Sequence, residues 1–222
     1  MTEWDWLVCT EAKKMLAFLR GQASERKLRL FACACSRRQL CGQLNPPIAA
    51  VVDVAERFAD GRATMAGVWA VRKVARRAAQ QAGCREWFVP SWVAARSQTR
   101  EILWAPPQVE AAAPLVRDIF GNPFRPVVID PAWLRWHDSL AVSMARRMYD
   151  SRDFTNMPVL ADSLEEAGCT DRGILSHCRS GGEHVRGCWV VDLFGASESI
   201  WIGRISSAAA RCASASEPSA PA

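Results

Sequence analysis

The residues of this 222-residue chain best suited to chemistry gather between Met157 and Phe194. That stretch holds His177 and His184, two of the three histidines, and Cys169, Cys178 and Cys188 among the nine cysteines. Imidazole and thiolate are the ligand types of structural zinc, which takes four of them in a closed tetrahedron. Cys169, His177, Cys178, His184 and Cys188 are therefore candidate metal ligands. Against them, zinc ligands usually arrive as closely spaced pairs, and no CxxC occurs in the chain. The adjacent His177 and Cys178 would also point about 100° apart on a helix, so one metal could use both only with local unwinding. The competing reading is packing, with Cys178 buried and the histidines capping or hydrogen bonding beside the Gly181-Gly182 turn. The sequence thus favours no cofactor, with structural zinc as the alternative.

Other chemistries find less support. A thiol nucleophile needs a histidine base and an orienting acid. Cys178 or Cys188 with His184 and Asp192 could be drawn so, but no spacing favours it. Cys33, Cys35 and Cys41 form a second group; Cys33 and Cys35 lie about 200° apart on a helical wheel, so core packing is the expectation. Phosphate-binding glycine loops, zinc-protease helices and nucleophile elbows are missing, which leans against an enzyme. Arg26, Lys27, Arg29, Arg37 and Arg38 on one expected helix, with Lys73, Arg76 and Arg77 on another, could line a nucleic-acid-binding face. The formal net charge of +5 is modest for that role.

The elements that must position these residues read as helices. Thr10 opens a short helix that ends before Gly21. Ser24 caps a second, with Leu28, Phe31, Ala32 and Cys35 on one face at helical spacing. Pro47 starts a third that stops at Gly61, and a fourth runs from Thr64 to Gln81 with Val68, Val71, Val74 and Ala75 inward. A short helix between loops is expected in Cys84–Trp104, and Pro114 kinks or restarts the next helix. Residues 121–126, GNPFRP, cannot be helical. Asp130 and Pro131 open a long amphipathic helix, Pro158 another ending at Gly168, and a short one follows Asp171. The run GCWVVDLF suits either a strand or a closing helical turn. The expected fold is mainly α, an irregular multi-helix bundle with at most a trivial β element near the C-terminus. Residues 1–120 read as an N-terminal helical lobe and 121–205 as a C-terminal lobe carrying the Cys/His stretch, with one domain comprising both as the other reading. Residues 206–222 read as a disordered tail.

Several segments together resemble a large paralogous family of planctomycete bacterial proteins. They are the opening TEW, FLRG (Phe18 to Gly21), KLRLFACAC (Lys27 to Cys35) and Arg37-Arg38. VAERFADG (Val54 to Gly61), RDIFGNPFRPV (Arg117 to Val127) and DPAWL (Asp130 to Leu134) extend the likeness. MPVLAD (Met157 to Asp162), EEAGC (Glu165 to Cys169) and HVRGCWVVDL (His184 to Leu193) complete it. The resemblance brings no activity or ligand with it. It implies a multi-copy protein whose relatives end soon after the CWVVDL run, so the sequence beyond Gly195 is either an addition or a frame artefact.

Half the residues are apolar, and a chain of this length can bury roughly 70% of its unfolded surface without staples. No stretch approaches the ~20 apolar residues of a membrane span, and no basic, then apolar leader opens the chain. An odd cysteine count spread through helical patterns argues for reduced thiols and a cytoplasmic location. The function expected from the sequence is a non-catalytic protein-interaction or adaptor module with an unknown protein partner. The alternative is a small nucleic-acid-binding or regulatory protein using the basic helix faces.

Overall fold

The computed structural model describes residues 1–39, 46–81 and 112–195. Among these residues the chain forms ten α-helices and no strand. They are α1 (Glu3–Val8), α2 (Ala12–Phe18), α3 (Glu25–Gln39), α4 (Pro46–Ala59), α5 (Met65–Gln81), α6 (Ala113–Phe120), α7 (Pro131–Ser151), α8 (Met157–Glu166), α9 (Arg172–Arg179) and α10 (Trp189–Gly195). The mainly α expectation holds, and the GCWVVDLF run resolves to a helix. The short helix expected in Cys84–Trp104, Cys41 and the tail 206–222 lie outside the described residues.

Local chemistry sets the helix starts. Thr2 and Asp5 form a reciprocal capping box at α1, a helix the sequence reading did not find. The Ser24 hydroxyl accepts from the Lys27 amide at the start of α3, and Asp171 accepts from Ile174 at the start of α9. Pro114 begins α6 rather than kinking it. The helix expected to run unbroken from Pro131 departs from helical geometry at Trp136–Ser139, where His137, Asp138 and Ser139 all have positive φ. Histidine and aspartate enter the left-handed region more readily than aliphatic residues do.

Two apolar clusters organise the bundle. The first joins Trp6, Met15, Leu16, Phe31, Leu115 and Ile119, so α6 packs with the N-terminal helices. The second joins Ala145, Met148, Leu160, Leu164, Ile174, Val190 and Val191 from α7 to α10. α3 is buried on several sides: Leu30, Phe31, Ala32, Cys33 and Ala34 are all inside, while Leu28 and Cys35 are only partly so. On α5, Val68 and Ala75 are buried and Val71 partly, but Val74 is exposed, because it lies beyond the inward stripe. The turn before α10 depends on Gly187, whose φ is +96° and where an added Cβ would sit 3.0 Å from Leu30. Lys27 of α3 spans that close approach, its ammonium donating to the carbonyls of Gly187 and of Ile119 in α6.

Candidate functional site

Three of the five sequence-derived ligand candidates meet at one point, and a fourth group joins them. His177 projects from the last turn of α9, His184 from the loop after it, and Cys188 from the N-cap position of α10, where its carbonyl accepts from Asp192. The fourth is Asp118, on the buried face of α6 beside Leu115 and Ile119. The four donor atoms all lie within 4.8 Å of one another.

Asp118 Oδ1 is 2.7 Å from His184 Nδ1 and 3.2 Å from His177 Nε2. Its other oxygen accepts from the Val185 amide at 3.0 Å. Cys188 Sγ lies 3.2 Å from His177 Nε2 and 3.9 Å from His184 Nδ1. The imidazole rings stand edge to face at 4.9 Å, and Trp189 covers His177 at 5.2 Å. Trp189 in turn lies against Gly121, where an added Cβ would be 3.1 Å from the indole.

The centre is sealed. Cys188 is fully buried, and the side chains of Asp118, His184 and His177 are 3%, 6% and 17% exposed. Burial works to raise the Asp118 carboxyl, but the hydrogen bonds from His177 and His184 outweigh it and hold it below the ordinary aspartate range. Burial, with Asp118 adding to it, pushes the Cys188 thiol well up, against the opposing amides of Val190 and Val191. The Nε2 of His184 is buried with no hydrogen-bond partner.

Cys169 and Cys178 do not join this group. Both are buried in the C-terminal apolar cluster, and burial pushes the Cys178 thiol up to about 12. Adjacent His177 and Cys178 therefore part as helical geometry requires, one to the polar centre and one to the core. The drawn triad also fails to assemble: Asp192 pairs with Arg26 and Lys27, at 2.6 and 2.7 Å, and not with a histidine.

The basic residues do not line one open face. Arg26 is held between Asp192, Asp60 and Tyr149. Arg37 grips Glu56 and Asp53, and Arg29 is buried with its guanidinium over Phe58. Arg38 stays exposed near Glu183, and Lys73, Arg76 and Arg77 are exposed on α5. The inward arginines serve a second polar centre around Glu56, which is 2% exposed and meets Arg37, Arg152 and Arg186. A cavity of about 320 Å³ opens beside it, lined by Asp53, Arg57, Asp60, Arg62, Arg152 and Arg186.

Asp118 and Glu56 are the residues the sequence reading missed, and Asp192 was named there only as the acid of a thiol triad. Their signal was an acid inside an apolar stripe: Asp118 falls three residues after Leu115 and one before Ile119, all facing inward. A buried acid must find partners, and such positions mark where.

Comparisons with protein-family models, curated proteins and solved structures give no match. No helix among the described residues is long and apolar enough to cross a membrane.

Proposed function

We propose that the protein is a non-catalytic interaction module that presents an apolar helical stripe to a protein partner. The observation that carries this reading is α1. Trp4, Leu7 and Val8, spaced as one helical face, are 71%, 50% and 54% exposed, while Trp6 on the other side is buried. The helix is nonetheless fixed firmly. Trp6 Nε1 donates to the Gly121 carbonyl at 3.1 Å, and Arg117 donates to the carbonyls of Trp6 and Cys9. Glu3 accepts from Asn122 and pairs with Arg125. An apolar stripe held in place before binding loses little entropy on docking, which is the economy of a recognition surface. The sealed state of the thiol and imidazoles supports a structural rather than catalytic use of them. A reducing, cytoplasmic setting suits the described cysteines, all of them free thiols. The resemblance to a multi-copy bacterial family fits a module reused with different partners.

The test is photo-crosslinking from position 4 in the native host, with identification of adducts by mass spectrometry. A discrete adduct that disappears on Leu7→Glu, and does not form from exposed position 128, is expected. Adducts indifferent to Leu7→Glu would overturn the reading.

A second reading keeps one observation. On α5, Trp69 is half exposed with Arg72 stacked over its ring at 4.9 Å, beside exposed Lys73, Arg76 and Arg77. An aromatic among cations suits a single-stranded nucleic acid. Binding that weakens steeply with salt and depends on Trp69 would favour it.

A further inference from the structure

We propose that Asp118, His177, His184 and Cys188 form a closed, four-ligand structural zinc site that ties α6 to α9 and α10. The inference is independent of the interaction surface on α1.

Geometry is the first support. Zinc binds nitrogen and oxygen at about 2.0–2.2 Å and thiolate at about 2.3 Å, so a tetrahedron places ligand atoms about 3.3–3.6 Å apart. The separations of 2.7, 3.2, 3.2 and 3.9 Å bracket that edge, and all four atoms fall within 4.8 Å of one another. Chain folding delivers them from four separate positions: the inner face of α6, the end of α9, the 180–188 loop and the cap of α10. Glycines at 121 and 187 admit the close packing around them.

Donor chemistry is the second. Two imidazoles, a thiolate and a carboxylate form a borderline-soft set that suits zinc and disfavours magnesium or calcium, which want oxygen alone. Charge is the third. A carboxylate and a thiolate together neutralise a divalent cation, so the loaded centre carries no net charge into the core. Metal binding would displace the Cys188 proton to solvent, leaving the sulfur as thiolate and both imidazoles neutral. Four protein ligands in a sealed pocket leave no position for water or substrate, which marks a structural rather than catalytic zinc.

Metal analysis of the full chain, purified without chelators and supplied with zinc, tests the assignment. One zinc per chain is expected, surviving gel filtration. Cobalt added to chelator-stripped protein should give tetrahedral visible bands together with a thiolate-to-metal charge-transfer band. Cys188→Ser should abolish that charge-transfer band, and His177→Ala should lower zinc occupancy by more than half. Cys178→Ser, an equally buried thiol outside the centre, should leave both readouts unchanged. If Cys188→Ser fails to fold, the wild-type cobalt spectrum and the Cys178→Ser control still decide. Wild-type protein that retains no metal, or a cobalt band that follows Cys178 instead, overturns the proposal. Iron or copper bound in preference to supplied zinc overturns the zinc assignment.

Discussion

Among its described residues the molecule buries two polar centres, and they solve the same problem differently. Around Glu56 the acids meet their own cations: Glu56 faces Arg37, Arg152 and Arg186, Asp192 faces Arg26 and Lys27, and Asp60 takes Arg26 and the Tyr149 hydroxyl. Around Asp118 the side chains in contact are two imidazoles, with a thiol completing the group. The first centre carries its positive charge on the chain. At the second the Asp118 carboxylate rests on both imidazoles and the Val185 amide, beside the buried Cys188 thiol. A buried carboxylate is tolerated only with opposite charge or several hydrogen bonds. The difference teaches that one centre is complete as folded, whereas under the zinc proposal the other awaits a cation.

The largest expected effect breaks the complete centre. Glu56→Ala would leave Arg186 without a carboxylate and Arg37 and Arg152 with Asp53 alone, and removing one partner of a buried ionic group costs up to about 3–5 kcal/mol. The midpoint of denaturant unfolding measures it. Next comes the incomplete centre. Zinc at a hundredfold over its Kd should stabilise the protein by about 2.7 kcal/mol relative to stripped protein, and Glu56→Ala should leave that increment intact. A chelator-insensitive melt in wild-type protein would erase the contrast between the centres.

Acid sharpens the comparison further. Burial acts to raise the Asp192 carboxyl, but Lys27 and Arg26 outweigh it and hold it below the usual aspartate range. A depressed folded value means the unfolded chain binds the proton more readily. The stabilisation is therefore full above the unfolded pKa of about 3.9 and fades as pH falls through the lower folded value. Asp192→Asn should flatten that acid limb of the stability curve, with Asp60 and the Tyr149 hydroxyl left facing Arg26. The smallest effect lies outside both centres. Arg62 and Asp150 pair at 3.3 Å with side chains 64% and 61% exposed, and Arg62→Ala should change stability by under about 1 kcal/mol.

Much of the fold was legible because helix punctuation is local. Ser24, Pro131, Pro158, Gly168 and Asp171 each mark a boundary that a few neighbouring residues determine. Helix α1 escaped because six residues carry too little periodicity, although Thr2 and Asp5 spell its cap. The break at Trp136–Ser139 escaped because the flanking apolar spacing continues through it. At the candidate site, residue type pointed to His177, His184 and Cys188, while Cys169 and Cys178 share the type and differ only in where the chain folds them. Asp118 lies 59 positions before His177, so nothing local ties it to the histidines. Arg26, Arg29 and Arg37 read as part of a nucleic-acid-binding face because their acidic and aromatic partners come from other helices: Glu56 and Phe58 from α4, Asp192 from α10.

X-ray absorption at the zinc edge of the loaded protein tests the central claim most directly. The account predicts a four-ligand first shell of one sulfur at about 2.3 Å and three nitrogen or oxygen atoms at about 2.0–2.2 Å, with imidazole scattering from two rings. A shell with two or more sulfurs would bring a second cysteine into the site, and an all-oxygen, water-rich shell would mark surface-bound metal; either would contradict it.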